Sequence, residues 1–196
     1  LLFTLIACSG VAVKAPGYVE HEAFEDRSGK LSAISQWGLT GKFSLDDGDQ
    51  GGSGKLRWDV KAEESEMDFR GAMGRGAWNL KMGPEGASLK MADGTEQTAG
   101  DVSDLIWEHV GWPVPLNALQ WWARGLPAPG ETNNEQFGPG GLLISLKQFG
   151  WDVSFNRYDS FAGIELPVRL KATRDNFRVK LAISRWRLDM SDDPAN

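Results

Sequence analysis

Cysteine, histidine and positive charge are all scarce in this chain of 196 residues, which has one Cys and two His. A single Cys excludes an intramolecular disulfide and a metal site built from several cysteines. The histidines, His21 and His109, lie too far apart to indicate a metal pair, and we interpret both as surface or rim residues. The formal net charge of −6 argues against a nucleic-acid partner.

Motifs for catalysis and nucleotide binding are absent or incomplete. There is no Gly-x-Ser-x-Gly elbow, and the one Cys has no evident base to activate it. Residues 51–55 are similar to a phosphate-binding loop, but Asp49 stands where the first Gly belongs and Leu56 where Ser or Thr belongs. We interpret them as a hairpin turn. A calcium loop beginning at Asp47 fails because its twelfth position is Trp58. The sequence therefore predicts no enzyme and no cofactor.

Tryptophan and glycine are abundant instead, with nine Trp against two Tyr and 24 Gly. Hydrophobic residues make up 41% and charged residues 24%, which is typical of a globular protein and not of a disordered one. The length suits one domain with a substantial core. Trp supplies large apolar area, so the chain is building a bulky core or an apolar surface for a ligand.

The first residues indicate an export signal. Residues 1–7 form an apolar run far shorter than the roughly 20 residues of a membrane-spanning helix, and they fit the end of a secretory signal peptide. The order Leu5-Ile6-Ala7-Cys8 resembles a bacterial lipobox, in which the Cys is acylated. The alternative is that Cys8 is a buried thiol. The Ser that follows, instead of Asp, favours the outer membrane by resemblance to sorted lipoproteins.

We divide the chain accordingly. Residues 1–8 are the signal remnant and lipobox, and residues 9–18 are a flexible tether. Residues 19–190 form a single domain, and residues 191–196 are a tail.

Apolar and polar residues alternate with period two in segment after segment, which indicates antiparallel strands with one buried face. Turn residues such as Asp93-Gly94 separate the segments. We count about ten strands, enough to curl into a closed or partly open barrel. The apolar positions are Trp37, Leu39, Phe43, Leu45, Leu56, Trp58, Val60, Met67, Phe69, Trp78, Leu80, Met82, Leu89, Met91, Trp151, Val153, Phe155, Ile164, Leu166, Val168, Leu170, Phe177, Val179, Leu181 and Ile183.

Two helical stretches interrupt these strands. Residues 101–110 begin with acidic residues and end before Gly111, and residues 115–124 begin with Pro and end before Gly125. A weaker amphipathic helix is predicted at residues 19–34, with Gly29 counting against its full length. Helices inserted midway in a meander must cover its apolar face, so they form a lid and not a second domain. Whether the inner face is a solid core or lines a cavity stays open from composition alone.

Residues 111–127, with the sequence GWPVPLNALQWWARGLP, resemble the corresponding segment of the outer-membrane lipoprotein LolB family. In that family a Pro-x-Pro-Leu-x-x-Leu run, a Trp and Gly-Leu-Pro recur in this order. The resemblance continues to Cys8, to the early strands and to the closing pair of strands that ends at Leu188. It implies a mainly β fold, namely an incomplete antiparallel β-barrel of about ten to eleven strands with an inserted helical lid, of the LolA/LolB type.

The resemblance also implies a function. Such a protein accepts lipoproteins from a periplasmic carrier of the LolA type into an apolar cavity and inserts them into the outer membrane without nucleotide hydrolysis. The implied partners are that carrier, lipoprotein acyl chains and outer-membrane lipid, and a monomer is expected. The predicted cavity-lining residues are Trp37, Phe43, Trp58, Phe69, Trp78, Leu80, Trp151, Phe155 and Leu166 from the sheet, and Leu119 and Trp122 from the lid.

A loop at residues 70–76 carries a second implied role. It places Met73 among glycines, and the family has an apolar residue projecting from this loop that is associated with delivery to the membrane. The match is loose, because the family more often shows Asn-Pro-Leu-Gly. The alternative is a hairpin whose Met folds back onto the core. Flanking Arg70 and Arg75 would suit an interface that carries anionic lipid.

Three other functions compete with this hypothesis. The chain could be an unanchored periplasmic carrier of the same architecture, in which case Cys8 would not be acylated. It could be a structural outer-membrane lipoprotein whose barrel has a solid core. A lipid-cleaving enzyme is a remote third.

Overall fold

A computed structural model describes residues 16–71, 76–111 and 113–189. The predictions for Cys8, for Met73 and for the tail at residues 191–196 lie outside these described residues. The elements are three helices, α1 Pro16–Ser32, α2 Val102–Val110 and α3 Leu116–Ala123, and eleven strands, β1 Gln36–Asp46, β2 Gly51–Lys61, β3 Glu64–Gly71, β4 Trp78–Gly83, β5 Gly86–Met91, β6 Glu96–Ala99, β7 Asn133–Gly138, β8 Leu142–Gln148, β9 Trp151–Phe161, β10 Ile164–Arg174 and β11 Phe177–Asp189.

All the strands belong to one antiparallel sheet, ordered β6-β5-β4-β3-β2-β1-β11-β10-β9-β8-β7. Two meanders, β1 to β6 and β7 to β11, are therefore joined side by side through the pairing of β1 with β11. The edge strands β6 and β7 do not pair with each other, so the sheet is not closed into a barrel. This confirms the predicted fold class, an incomplete antiparallel barrel with inserted helices.

The sheet has two rims. We call the end at which β1 begins the upper rim and the end at which β1 ends the lower rim. Register places Lys61 opposite Gln36 at the upper rim and Gly51 opposite Asp46 at the lower rim. The β4–β5 turn lies at the upper rim, whereas the β8–β9 turn, the end of β3 and the start of β4 lie at the lower rim.

The two inserted helices form for local reasons that the sequence shows. Asp101 is the N-cap of α2, where its Oδ1 accepts a hydrogen bond from the Ser103 backbone N–H at 2.6 Å. Gly111 ends α2 with a left-handed φ of 75°, a conformation that Gly adopts without strain. Pro115 and Arg124 flank α3. Both ends of each helix lie within one residue of the predicted ends, so these two predictions are confirmed.

The helices cover the apolar face of the sheet as predicted. Helix α2 packs against β5 and β6, and α3 packs against β10. Helix α1 packs across β7, β8 and the short 3-10 turn at Pro139–Gly141 between them. The inner face of the sheet, α2, α3 and part of α1 thus share one hydrophobic core.

Two local predictions need correction. The helix α1 begins at Pro16, inside the segment assigned to a tether, and it continues past Gly29, whose position is open enough for any side chain. The glycine run at residues 51–54 is not itself a turn, because it already belongs to β2. The turn is formed by residues 47–50, where the Asp47 carboxylate accepts hydrogen bonds from the backbone of Asp49 and Gln50.

Candidate functional site

The structure brings all the predicted cavity-lining residues together on the inner face, and their exposed fractions lie between 0% and 8%. Each belongs to the same hydrophobic cluster as the buried face of α3. Their inward orientation is thereby confirmed, whereas their role as acyl-chain contacts stays a prediction. They are Trp37, Phe43, Trp58, Phe69, Trp78, Leu80, Leu119, Trp122, Trp151, Phe155 and Leu166.

Three tryptophans form a cluster near the upper rim. The ring centroid of Trp37 lies 5.4 Å from that of Trp58 and 5.6 Å from that of Trp186. The indole N–H of Trp58 donates to Ser65 Oγ at 2.7 Å, and that of Trp186 donates to the Pro167 carbonyl at 3.0 Å. Because both polar atoms are satisfied within the protein, these indoles present only carbon to the interior.

A second aromatic row continues towards the lower rim. Phe69 and Trp78 stack with centroids 5.2 Å apart and an interplanar angle of 20°, and Phe43 meets Phe69 edge-on at 6.3 Å. Gly54 faces Phe43 across the strand pair, and a Cβ on Gly54 would come within 2.2 Å of the Arg70 carbonyl oxygen. The inner face is therefore lined with aromatic rings from one rim to the other.

A buried glutamine fixes the lid to the sheet. Gln148 is 2% exposed, and its Oε1 accepts from Trp122 Nε1 on α3 and from the Ala128 backbone N–H, both at 2.9 Å. Its Nε2 donates to the Ala128 carbonyl at 2.7 Å. Because both the oxygen and the nitrogen of this buried amide are hydrogen-bonded, it specifies one position for α3 and for the segment that follows it.

Helix α1 is held on the sheet by a contact between an arginine and an aromatic ring. The Arg27 guanidinium lies 5.5 Å from the Tyr158 ring centroid and donates to the Glu165 carbonyl. Tyr158 donates its hydroxyl to the Leu143 carbonyl at 2.6 Å, and burial raises the pKa of this phenol. These contacts seat α1 on the upper rim above β8 and β10.

A recess of about 560 Å³ opens at the upper rim beside α3. This volume falls within the range of roughly 300–1,000 Å³ that is typical of small-molecule sites. Its walls come from the end of α1, the ends of β2 and β4, and α3. The lining residues are Ser32, Ile34, Ser35, Trp37, Val60, Ala62, Glu63, Gly83, Pro84, Gln120, Trp121 and Arg124.

Arg124 is the one strongly buried charged residue of this recess, at 6% exposed. Its guanidinium carbon lies 4.7 Å from the Trp121 ring centroid and 5.6 Å from the Trp37 centroid. Burial lowers the pKa of Arg124 to about 10, which leaves the group charged at neutral pH.

A larger recess of about 1220 Å³ runs along the upper rim from β11 to β6 and shares Trp37, Val60, Gly83 and Pro84 with the first recess. Its outward wall contains Asp59, which accepts hydrogen bonds from Arg57 at 2.6 Å and also from Arg187. Burial alone would raise the pKa of Asp59, but the hydrogen bonds from both arginines outweigh it and lower the pKa. Charged walls of this kind do not suit an acyl chain.

Large apolar side chains are exposed at three places in the described ranges. Trp107 on α2 is 57% exposed, Ile144 on β8 is 44% exposed, and Phe149 in the β8–β9 turn is 50% exposed. Phe149 has a φ of 52°, a conformation that bulky residues rarely adopt, and it lies on the lower rim.

Sequence reasoning missed several residues of the site. Trp186 was missed because a bulge opposite Thr40 and Gly41 moves the inward phase of β11 from odd to even positions. The sequence does contain a signal for Trp186, since polar and apolar residues alternate again after Ser184. Arg124 and Gln148 were missed because their partners are distant in sequence, and no local pattern marks them.

Two further features of the described residues bear on function. No three of their His, Cys, Asp and Glu side chains are grouped as a metal site. None of the helices in those ranges is both long enough and apolar enough to cross a bilayer.

Comparison with solved structures defines the fold. A LolA superfamily protein from Nitrosomonas europaea superposes with a TM-score of 0.50 over 90% of this chain and 94% of that chain, at 7% sequence identity. At this identity the likeness shows the fold alone.

Comparison of sequences identifies the family. Residues 35–186 match the family described as outer membrane lipoprotein LolB. The outer-membrane lipoprotein LolB of Alkalilimnicola ehrlichii is 33% identical over 166 residues, which cover 84% of this chain and 83% of that protein. The LolB of Pseudomonas putida strain W619 is 31% identical over 192 residues, covering 95% and 94%. The chain belongs to the LolB family, and it is accordingly an outer-membrane lipoprotein of the Lol pathway.

Proposed function

We propose that this protein accepts the acyl chains of lipoproteins from a periplasmic carrier, holds them between the sheet and its helical lid, and passes them into the outer membrane. The observation that carries the proposal is the aromatic inner face, which runs between the rims and adjoins an open recess beside α3 at the upper rim. Family membership supports it, because LolB is a lipoprotein-localisation family that is not known as an enzyme family.

The energetics explain why a sheltered hand-over is needed. Each buried methylene contributes roughly 0.8 kcal/mol, so one acyl chain of about fifteen methylenes contributes on the order of 12 kcal/mol. Release of such a chain into water is therefore negligible. Transfer from one apolar site to another nearly cancels this term, so affinity that increases from the carrier to this protein and then to the bilayer drives transfer without nucleotide hydrolysis.

The lid must move for the inner face to admit a chain, because the predicted lining residues are packed against α3. Helix α3 has only eight residues, and its described polar link to the sheet is the bond from Trp122 to Gln148. Opening of this helix, in which its five buried residues separate from the core, is the proposed entry step.

We assign attachment to the membrane to acylated Cys8 and delivery to the loop that holds Met73. The residues that flank this loop, Gly71 and Trp78, lie at the lower rim. The exposed Phe149 is on the same rim and supports its assignment as the membrane-facing end. Mass spectrometry of the mature N-terminus tests the anchor, since an ordinary cleaved end would favour an unanchored carrier.

The decisive experiment is sequential transfer of a labelled lipoprotein from a LolA-type carrier to this protein and then to liposomes. We expect the label to move in both steps without ATP. Failure of the first step with a folded protein would overturn the proposal.

One observation favours a second candidate, a structural lipoprotein with a solid core, namely the nearly complete burial of the predicted lining residues. The two differ in whether a fluorescent acyl probe binds. Saturable binding that quenches the indole fluorescence supports transport, whereas no binding at all supports the structural role.

A further inference from the structure

Arg124 is a buried cation to which no acidic partner is assigned within the described ranges. No carboxylate oxygen of the described residues forms an ion pair with it, that is, lies within 4.0 Å of its nitrogens. Removing a charge from water costs several kcal/mol unless a partner compensates for it. The position is therefore unfavourable unless something else satisfies the group.

Its hydrogen bonds leave donors free. A guanidinium has five N–H groups. Within the described ranges, Nε donates to the Gln120 carbonyl at 3.3 Å and Nη1 donates to the Leu31 carbonyl at 3.2 Å. Both acceptors are backbone carbonyl oxygens, and together they use two of the five N–H groups. The remaining N–H groups have no acceptor among these residues, and the side chain lines the recess.

The guanidinium is also held in place. Trp121 and Trp37 lie within cation–π distance of it, at 4.7 Å and 5.6 Å from their ring centroids. Ile34 and Val60 supply apolar walls to the same recess. A positioned donor group at the edge of an apolar surface matches a ligand with one polar head and a long apolar tail.

We propose that Arg124 binds the carbonyl oxygen at the head of an acyl chain in ester or amide linkage, while the chain extends along the inner face. This rests on the proposed function and names the part of the cargo that the recess recognises. The head is a neutral carbonyl because the proposed cargo carries its acyl chains in ester or amide linkage, and the exposed Glu63 of the same recess adds a negative charge that opposes an anionic head.

The test compares three ligands of equal chain length, methyl palmitate, hexadecane and palmitate, by their displacement of a fluorescent acyl probe from the full chain. A hydrogen bond to a charged group is worth about 1.5–3 kcal/mol, so methyl palmitate should bind about tenfold or more tighter than hexadecane. Palmitate should bind no tighter than the ester. In Arg124→Met the ester should lose its advantage while hexadecane binds as before.

A matched control separates recognition from packing. Arg27 is half-buried and, like Arg124, lies against an aromatic ring and donates to a backbone carbonyl. Unlike Arg124, it does not line the recess. Arg27→Met should lower the thermal unfolding temperature and keep the preference for the ester. Arg124→Lys keeps the charge without the planar fork, so its preference for the ester should fall between those of the wild type and Arg124→Met. If Arg124→Met does not fold, Arg124→Lys serves as the test variant in its place.

The outcomes distinguish the two proposals. An ester preference that stays at the wild-type level in folded Arg124→Met or in Arg124→Lys would overturn the role of Arg124 and leave the transport function standing. Tighter binding of palmitate than of the ester would overturn the choice of a neutral head. If the wild type binds none of the ligands, the proposed function fails together with this inference.

Discussion

The two rims of the sheet share one inner face but differ in chemistry. The upper rim is covered by α1 and α3 and contains a recess with a buried cation. The lower rim has short turns in which backbone N–H donors lower the pKa of the Asp47 and Asp93 carboxyls, and it exposes Phe149. The strands thus supply a continuous lining, whereas the helices and connections decide where this lining is reached.

The largest effect is expected for Trp122→Asp, which tests whether the lid controls entry to the inner face. A carboxylate at this buried position disrupts the packing of α3 and loses the bond to Gln148, so uptake of a fluorescent acyl probe should be abolished. Trp122→Phe keeps an apolar ring without the N–H and should retain most uptake. Undiminished binding by a folded Asp variant would refute the role of the lid.

Met73→Glu tests the lower rim. We expect normal acceptance of cargo and failed release into vesicles, because a charged tip does not enter an apolar bilayer. The matched control is Thr95→Glu in the exposed β5–β6 turn, which should release cargo like the wild type. Equal release by both variants would dismiss the membrane-contact hypothesis for this loop.

Gln148→Leu tests whether the hydrogen bonds of this amide hold the lid helix α3 closed. Removing the amide leaves Trp122 Nε1 and the Ala128 backbone groups without their partner, which should cost about 1–3 kcal/mol in the free energy of unfolding. Stopped-flow fluorescence should show faster probe entry, since the same bonds hold α3 closed. Unchanged stability together with unchanged entry would show that this amide does not fix the lid.

The smallest effect is expected on the outer face, where Asp59→Asn removes the carboxylate from its two arginines. Because Asp59 is more than a third exposed, solvent screens the pair, and the loss should stay below about 1 kcal/mol. The pKa of Asp59 is lowered in the fold, so this contribution is present above the pKa of the unfolded chain and disappears as the pH falls through the lowered value. Denaturant unfolding at neutral and acid pH measures it. Impaired acyl uptake by this variant would instead place function on the outer face.

The sequence predicts the features of this molecule that depend on neighbouring residues. Alternation revealed the inner face, and Asp101 and Gly111 marked the ends of α2, because strand orientation and helix caps are local. By contrast, β6 has no buried residue, so its sequence shows no alternation of apolar and polar residues that would predict a strand. The LolB-like motif added what local patterns lacked, namely the choice of an incomplete barrel over a closed one.

The site itself depended on distant partners. Arg124 bonds to Leu31, which is 93 residues away, and Trp122 bonds to Gln148, which is 26 residues away. No short-range pattern encodes such pairs, so neither the buried cation nor the lid clamp could be predicted. The recess is likewise defined by segments that only the tertiary fold brings together.

The seam between the first and last strands has a consequence for biogenesis. Arg187 donates to Thr40 across this seam, from a position 147 residues further along the chain. Contacts of such separation form slowly, since a long loop must close before they contribute. The two meanders can therefore join only once the C-terminal strand has reached the same compartment, and until then the unfinished half-sheets expose the aromatic rings that the mature protein conceals. We expect the exported polypeptide to depend on protection by holding chaperones throughout that interval.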